Sequence, residues 1–210
     1  MKFLNFDNVL CLSPHPDDTE YSMSATIKKY KDTHFNILCM SHGGEDDPTS
    51  GDHRFDEVKA FWESMGCNSN VTLSFESGFI SRYKESKWIN LIETEYLEGV
   101  QCIMLTSKED AHFEHRIVNS VANPLSRTSP LSIIEYKSPS TTGMWIPNLF
   151  VNVSDTVATL QYDSLNSAFI TQNDAPYFSR TSLDAFHTDF ASIKRGMGLV
   201  EMFKIVQIFK

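Results

Sequence analysis

Glycine is scarce in this chain, at 9 of 210 residues, where an average composition supplies about 7%. None of these glycines forms a G-x-G-x-x-G turn after the first apolar run, so the phosphate-cradling loop of a dinucleotide-binding enzyme is missing. Positive charge is also short. The 18 Lys and Arg face 27 Asp and Glu, for a formal charge of −9, which argues against a nucleic-acid binder held by a basic face. No apolar stretch approaches the roughly 18 residues that a membrane-spanning helix needs. The opening "MKFLNFDNVLCL" is too broken by Asn and Asp to serve as a span or a cleavable leader. These absences predict a soluble, cytoplasmic protein with no membrane span.

Cysteine is limited to Cys11, Cys39, Cys67 and Cys102. No pair has C-x-x-C spacing, and three of the four lie in or beside apolar, strand-like runs. They read as small buried hydrophobes in a reducing compartment rather than as a thiolate metal site or a disulfide framework.

What is present is a rhythm. Val9–Ser13, Phe35–Met40, Val71–Phe75, Cys102–Thr106 and Leu131–Glu135 are short apolar runs bounded by turn formers, as buried strands are. Between them, Glu20–Lys31, Arg54–Met65, Trp88–Leu97 and His115–Ala122 carry apolar residues at helical spacing. Gly66 is placed to end the second of these helices. Farther on, Leu149–Val153 reads as a strand, Val157–Ile170 as a helix, and "QNDAPYFSRTSLD" as a polar connection. A helix ending near Gly196 or Gly198 and a closing strand finish the chain. The β-α-β-α order predicts an α/β fold, a Rossmann-like, mostly parallel sheet with helices on both faces, in a single domain spanning residues 1–210. Such sheets carry their sites in the loops at the carboxyl ends of the strands.

The stretch "VLCLSPHPDDTEYS" ends its strand in that position. A buried strand runs into His15, Asp17 and Asp18, and two adjacent carboxylates beside an imidazole repel each other unless a cation sits among them. His15 and Asp18 are three apart in a tight turn and can face one point. His112 and His115 have the same spacing in "EDAHFEHRIV", again after a predicted strand. A His, an Asp and a second His suit Zn²⁺ with a position left for water, and a neighbouring carboxylate outside the metal's shell can take that water's proton. Asp17 or Asp18 fits either carboxylate role. Iron or cobalt is compatible with the same donors.

"SPHPDDTE" followed by "DAHFEHR" resembles the PIG-L or LmbE-like family of zinc-dependent N-acetyl hydrolases, whose marks are A-H-P-D-D-x-E after the first strand and H-x-D-H later. "MSHGGEDD", "HRFDEVKAFWESMGC", "PNLFVNVSDTV", "FITQ" and "RGMGLVEMFKIVQI" resemble further segments of the family in its order. The resemblance implies that His15, Asp18 and His115 bind zinc and that Asp17 is the general base. It implies that His112, once protonated, stabilises the oxyanion or protonates the leaving amine, with Glu114 in the place of the aspartate that orients it. Arg54 is implied to lie near substrate, with Glu57 one helical turn on as its holder. Two features remain open. His42, Asp46 and Asp47 face substrate or are merely solvated, and Trp145 either stacks on a sugar ring or anchors its loop.

The implied reaction is removal of an acetyl group from an N-acetylated amino sugar or glycoconjugate, a small-molecule partner, in a monomer or an oligomer. A non-sugar amide substrate, or metal or carbohydrate binding without turnover, are the alternatives.

Overall fold

The computed structural model describes residues 1–43, 51–76, 80, 84–127 and 129–209. In chain order its elements are β1 (Asn8–Ser13), α1 (Asp18–Lys29), β2 (His34–Cys39), α2 (His53–Met65), β3 (Val71–Phe75), α3 (Glu85–Glu95), β4 (Cys102–Thr106), α4 (Phe113–Ser120) and α5 (Ala122–Leu125). They continue with β5 (Ser132–Tyr136), β6 (Leu149–Asn152), α6 (Asp155–Ala168), α7 (Arg180–Phe186), α8 (Phe190–Lys194) and β7 (Val200–Gln207). The strands form one seven-stranded sheet in the order β3-β2-β1-β4-β5-β7-β6. The first five run parallel, and β7 is antiparallel to both β5 and β6. The expected mostly parallel α/β sheet is therefore observed.

Alternation along each strand builds two cores, because successive side chains leave opposite faces of a sheet. Val9 and Cys11 of β1, with Cys102 and Met104 of β4, pack against Tyr21, Met23 and Ile27 of α1, Phe61 and Trp62 of α2, and Leu165 of α6. Leu10 and Leu12, with Ile103 and Leu105, pack on the other face against Trp88 and Ile92 of α3 and Val118 of α4. Helix α1 is buried from Asp18 to Ile27 because both α2 and α6 lie against it. Gln161 of α6 donates to the Glu20 and Tyr21 carbonyls at 3.2 and 3.0 Å. Helix α2 ends where Gly66 enters the left-handed region at φ 64°, as its position in the sequence predicts.

The sequence reads 172–184 as connection, but part of it is ordered: a 3-10 turn at Pro176–Phe178, then α7, which the Ser179 hydroxyl caps by accepting the Ser182 N–H at 3.2 Å. Strands β1 and β4 are neighbours, with Val9 opposite Cys102 and Cys11 opposite Met104, whereas the chain leaves β1 toward β2 on the other side. The order of strands reverses there. At such a switch point the loops leaving the two carboxyl ends diverge and open a crevice, and both histidine motifs belong to those loops.

Candidate metal centre

The loop after β1 is tightly tied. The Ser13 hydroxyl donates to the His15 carbonyl at 2.9 Å and accepts the Thr19 N–H at 3.4 Å. The His15 N–H donates to Asp18 Oδ2 at 2.9 Å. Asp17 precedes the first turn of α1 with φ 121°, a backbone region that residues with side chains rarely occupy and that persists only where surroundings enforce it. The enforcement is visible. Glu20 accepts the Asp17 N–H at 3.2 Å and the Trp62 indole N–H at 2.6 Å, and Arg54 donates to the Pro16 carbonyl at 2.7 Å.

This turn aims His15 and Asp18 at His115, the third residue of α4. His15 Nδ1 lies 3.2 Å from Asp18 Oδ2, His115 Nε2 lies 3.2 Å from the same oxygen, and the two nitrogens are 3.3 Å apart. A tetrahedral zinc ion with bonds of about 2.0–2.1 Å places its ligand atoms about 3.3–3.4 Å from one another, so this near-equilateral triangle fits such an ion. One nitrogen of each of His15, His112 and His115 also falls within 4.8 Å of the others, a looser grouping. The Asp18 triangle matches the bond lengths, and His112 stands beside it with its ring stacked on His115 at 4.6 Å.

The outer nitrogens of both triangle histidines meet carboxylates. His15 Nε2 is 2.5 Å from Glu114 Oε2, and His115 Nδ1 is 3.1 Å from Asp110 Oδ2. A carboxylate behind each imidazole is how metal-binding histidines are usually oriented. Asp110 is itself held by the Ser138 and Ser140 hydroxyls at 2.5 and 2.6 Å and by the His112 N–H at 2.8 Å. Nothing in the sequence analysis singled out Asp110. Its signal was the acidic residue immediately before "AHFEH", one more carboxylate beside two histidines.

The electrostatics favour positive charge at this point. Burial works against a charged His15, but Asp18 and Glu114 outweigh it and hold the ring up to about 9. His115 is pushed up to about 10, again against burial, chiefly by Asp18 and Asp110. Burial would raise Asp18, yet the two imidazoles keep it well below the carboxylate range. Asp17 goes the other way, to about 7, mainly by burial, with Arg54 opposing. His112 is lowered by burial and then by the neighbouring His15 and His115.

The family model described as PIG-L, GlcNAc-PI de-N-acetylase, matches residues 10–125, which include both histidine motifs. The chain belongs to the PIG-L family. Solved structures share its fold across nearly the whole length. A conserved protein from Thermus thermophilus superposes with a TM-score of 0.72 at 17% identity, covering 98% of this chain and 96% of that one. The N,N'-diacetylchitobiose deacetylase of Pyrococcus horikoshii, in complex with an inhibitor, gives 0.73 at 20% identity, over 97% and 85%. The zinc-inhibited form of the teicoplanin deacetylase Orf2 gives 0.73 at 11% identity, over 93% and 96%. No curated protein matches the chain. Among the described residues, no helix is long and apolar enough to cross a membrane.

Within this PIG-L fold, His15, Asp17, Asp18, Arg54, His112, Glu114 and His115 all come together. Two expected relationships differ in the structure, and the open alternative at Trp145 falls to the loop anchor. Glu114 turns its carboxylate to His15, and its backbone N–H donates to His112 Nδ1 at 3.3 Å. Glu57 does not hold Arg54: its two oxygens accept the Thr171 N–H at 2.9 Å and hydroxyl at 2.8 Å, tying the segment after α6 to α2. Trp145 is 7% exposed, packs with Val200 and Met202, and donates to Glu135 at 3.0 Å. Its ring anchors the loop and leaves no open face for a sugar. His42 is half-buried with Nδ1 3.6 Å from Asp52, and Asp46 and Asp47 lie outside the described residues.

Proposed function

We propose that this chain is a zinc-dependent N-deacetylase acting on an N-acetylated amino sugar or sugar conjugate. The observation that carries the reading is the 3.2, 3.2 and 3.3 Å triangle of His15 Nδ1, Asp18 Oδ2 and His115 Nε2, with an unused carboxylate, Asp17, next in the chain to Asp18. The sugar rests on family membership and on the deacetylases among the structural relatives.

His15, Asp18 and His115 would hold the ion, with Glu114 and Asp110 fixing the two rings. Zinc bound there supplies an electrophile for the amide carbonyl and brings the pKa of water towards about 7. Asp17 accepts the proton that water gives up as its oxygen bonds to the acetyl carbon. His112 faces the developing oxyanion as a neutral ring. Its Nδ1 accepts the Glu114 N–H, so its own proton sits on Nε2 and can be donated there. This replaces the expected imidazolium, which burial and two neighbouring histidines disfavour. Asp17 then passes its proton to the amide nitrogen as the C–N bond breaks, giving acetate and a free amine. Arg54, which reaches both Pro16 and Asp17, keeps the base in place.

The test is amine release from N-acetylglucosamine, N,N'-diacetylchitobiose and a panel of N-acetyl amino acids, with zinc-loaded and chelator-treated protein. Release from the sugars that chelation abolishes and zinc restores is expected. Release confined to the amino acids would refute the sugar, and release untouched by chelation would refute the metal.

A further inference from the structure

The family match ends at residue 125, yet one side chain from far beyond it reaches the base. Tyr177, in the 3-10 turn Pro176–Phe178, places its hydroxyl 3.3 Å from Asp17 Oδ2 and 3.2 Å from Gln172 Oε1. The turn is seated on α1. The Tyr21 hydroxyl donates to the Tyr177 carbonyl at 2.7 Å, and the two rings meet edge to face at 5.8 Å. The preceding 3-10 turn, Ile170–Gln172, is fastened to α2 through the Thr171–Glu57 bonds. The segment 170–178 is thus a strap fixed at both ends to the helices that carry Asp17 and Arg54.

We infer that Tyr177 is a positioning residue for Asp17, holding its Oδ2 so that Oδ1 is left to accept the proton of the attacking water. The inference rests on the deacetylase reading above. Arg54 Nη2 reaches the same oxygen at 3.4 Å, so two donors from different elements converge on one side of the carboxylate. A phenol carries one hydrogen, and between Gln172 and an ionised carboxylate the charged acceptor takes it. Burial first, then Asp17 and Asp18, push the phenol far above its ordinary pKa, so it keeps that hydrogen throughout the working range. With the Tyr177 bond gone, Oδ2 keeps the longer 3.4 Å contact with Arg54 and the carboxylate turns more freely about its terminal torsion. Loss of alignment between base and water costs rate rather than substrate affinity.

The experiment is a double-mutant cycle on the full, zinc-loaded chain, with N,N'-diacetylchitobiose as probe and released amine as readout. Tyr177→Phe keeps the ring that packs on Tyr21 and Phe178, and zinc content and thermal midpoint, expected at wild-type values, verify its fold. It should lower kcat roughly three- to tenfold, the value of one hydrogen bond to a charged group at long range, with KM unchanged. In the Asp17→Asn background the same substitution should have no further effect on kcat. An equal loss in both backgrounds would mark a general structural role and overturn the inference, as would a rise in KM alone or wild-type kcat in Tyr177→Phe. A wild-type chain that releases no amine overturns the deacetylase reading and this inference with it; turnover by wild type isolates failure to Tyr177 alone.

Discussion

Asp110→Asn isolates what a carboxylate behind a metal-binding histidine contributes. The side chain is almost isosteric, and its remaining carbonyl can still accept from His115 Nδ1, now 3.1 Å away. With that carbonyl at the Oδ2 position, the Ser138 hydroxyl still donates to it and the Ser140 hydroxyl can turn to accept from the new amide, so the loop stays attached at both serines although the His112 N–H loses its acceptor. What disappears is the charge that makes His115 a stronger base. That charge holds His115 up to about 10 together with Asp18. Losing a partner of this kind typically weakens metal affinity by about 10- to 100-fold, or about 1.4–2.7 kcal/mol. The assay is competition for zinc against a chromophoric chelator at fixed pH, wild type beside variant. At saturating zinc, kcat should recover to within about threefold, because His15, Asp18 and His115 are all still present. Unchanged zinc affinity would refute the reasoning and leave Asp110 as a fastener between the segment after β4 and the one after β5.

Other outcomes follow from the same geometry. Asp17→Asn should cut kcat by about 10²–10⁴ while zinc content stays at the wild-type level, since neither Asp17 oxygen belongs to the triangle; loss of zinc would move Asp17 into the metal's shell. In the pH profile, activity needs Asp17 ionised, so it should be lost as pH falls. Burial holds the group at about 7 without a cation beside it, and a bound cation lowers it toward the ordinary value of about 4, so the acid limb belongs between these two. A profile flat through that range would remove Asp17 as base. His187 is fully buried, and burial, with Lys137 adding to it and the Tyr21 backbone opposing only weakly, lowers it from 6.5 to about 4. The unfolded chain then binds a proton that the native chain refuses. Stability should fall as pH drops from about 6.5 to about 4, by about 3 kcal/mol from this group. His187→Leu should flatten that part of the urea-unfolding profile, and parallel profiles would contradict the assignment.

The sheet could be read from the sequence because its signals are local. Val71–Phe75 and Cys102–Thr106 are observed as expected, β1 begins one residue earlier, and β2 and β5 are shifted by one residue at both ends. β1, β2, β4 and β5 are short runs largely buried on both faces, and the partly buried edge strand β3 alternates Val71, Leu73 and Phe75 with Thr72 and Ser74; both patterns are local. The convergence of His15 and His115 was legible for the same reason, since both follow strands whose carboxyl ends a parallel sheet brings to one edge. What could not be read were partners fixed by loops. Glu57 finds Thr171 across 114 residues, Trp145 finds Glu135 because its loop folds back on β5, and Glu114 passes over His112 to reach His15. A motif states which residues are close in the chain; which nitrogen each carboxylate meets depends on φ and χ angles set elsewhere, as the enforced φ of 121° at Asp17 illustrates. Helix α7 escaped notice because Leu183 is the only residue of its seven that is buried, too little for a periodic signal.

The most direct test is metal content by plasma mass spectrometry, with wild type and His115→Ala purified side by side and reconstituted with zinc. His115 Nε2 supplies one corner of the triangle. About one equivalent of zinc per wild-type chain, lost in the variant, is the predicted result. A wild-type chain that takes up no zinc, or a variant that retains it in full, would contradict the assignment of His15, Asp18 and His115 as a metal centre.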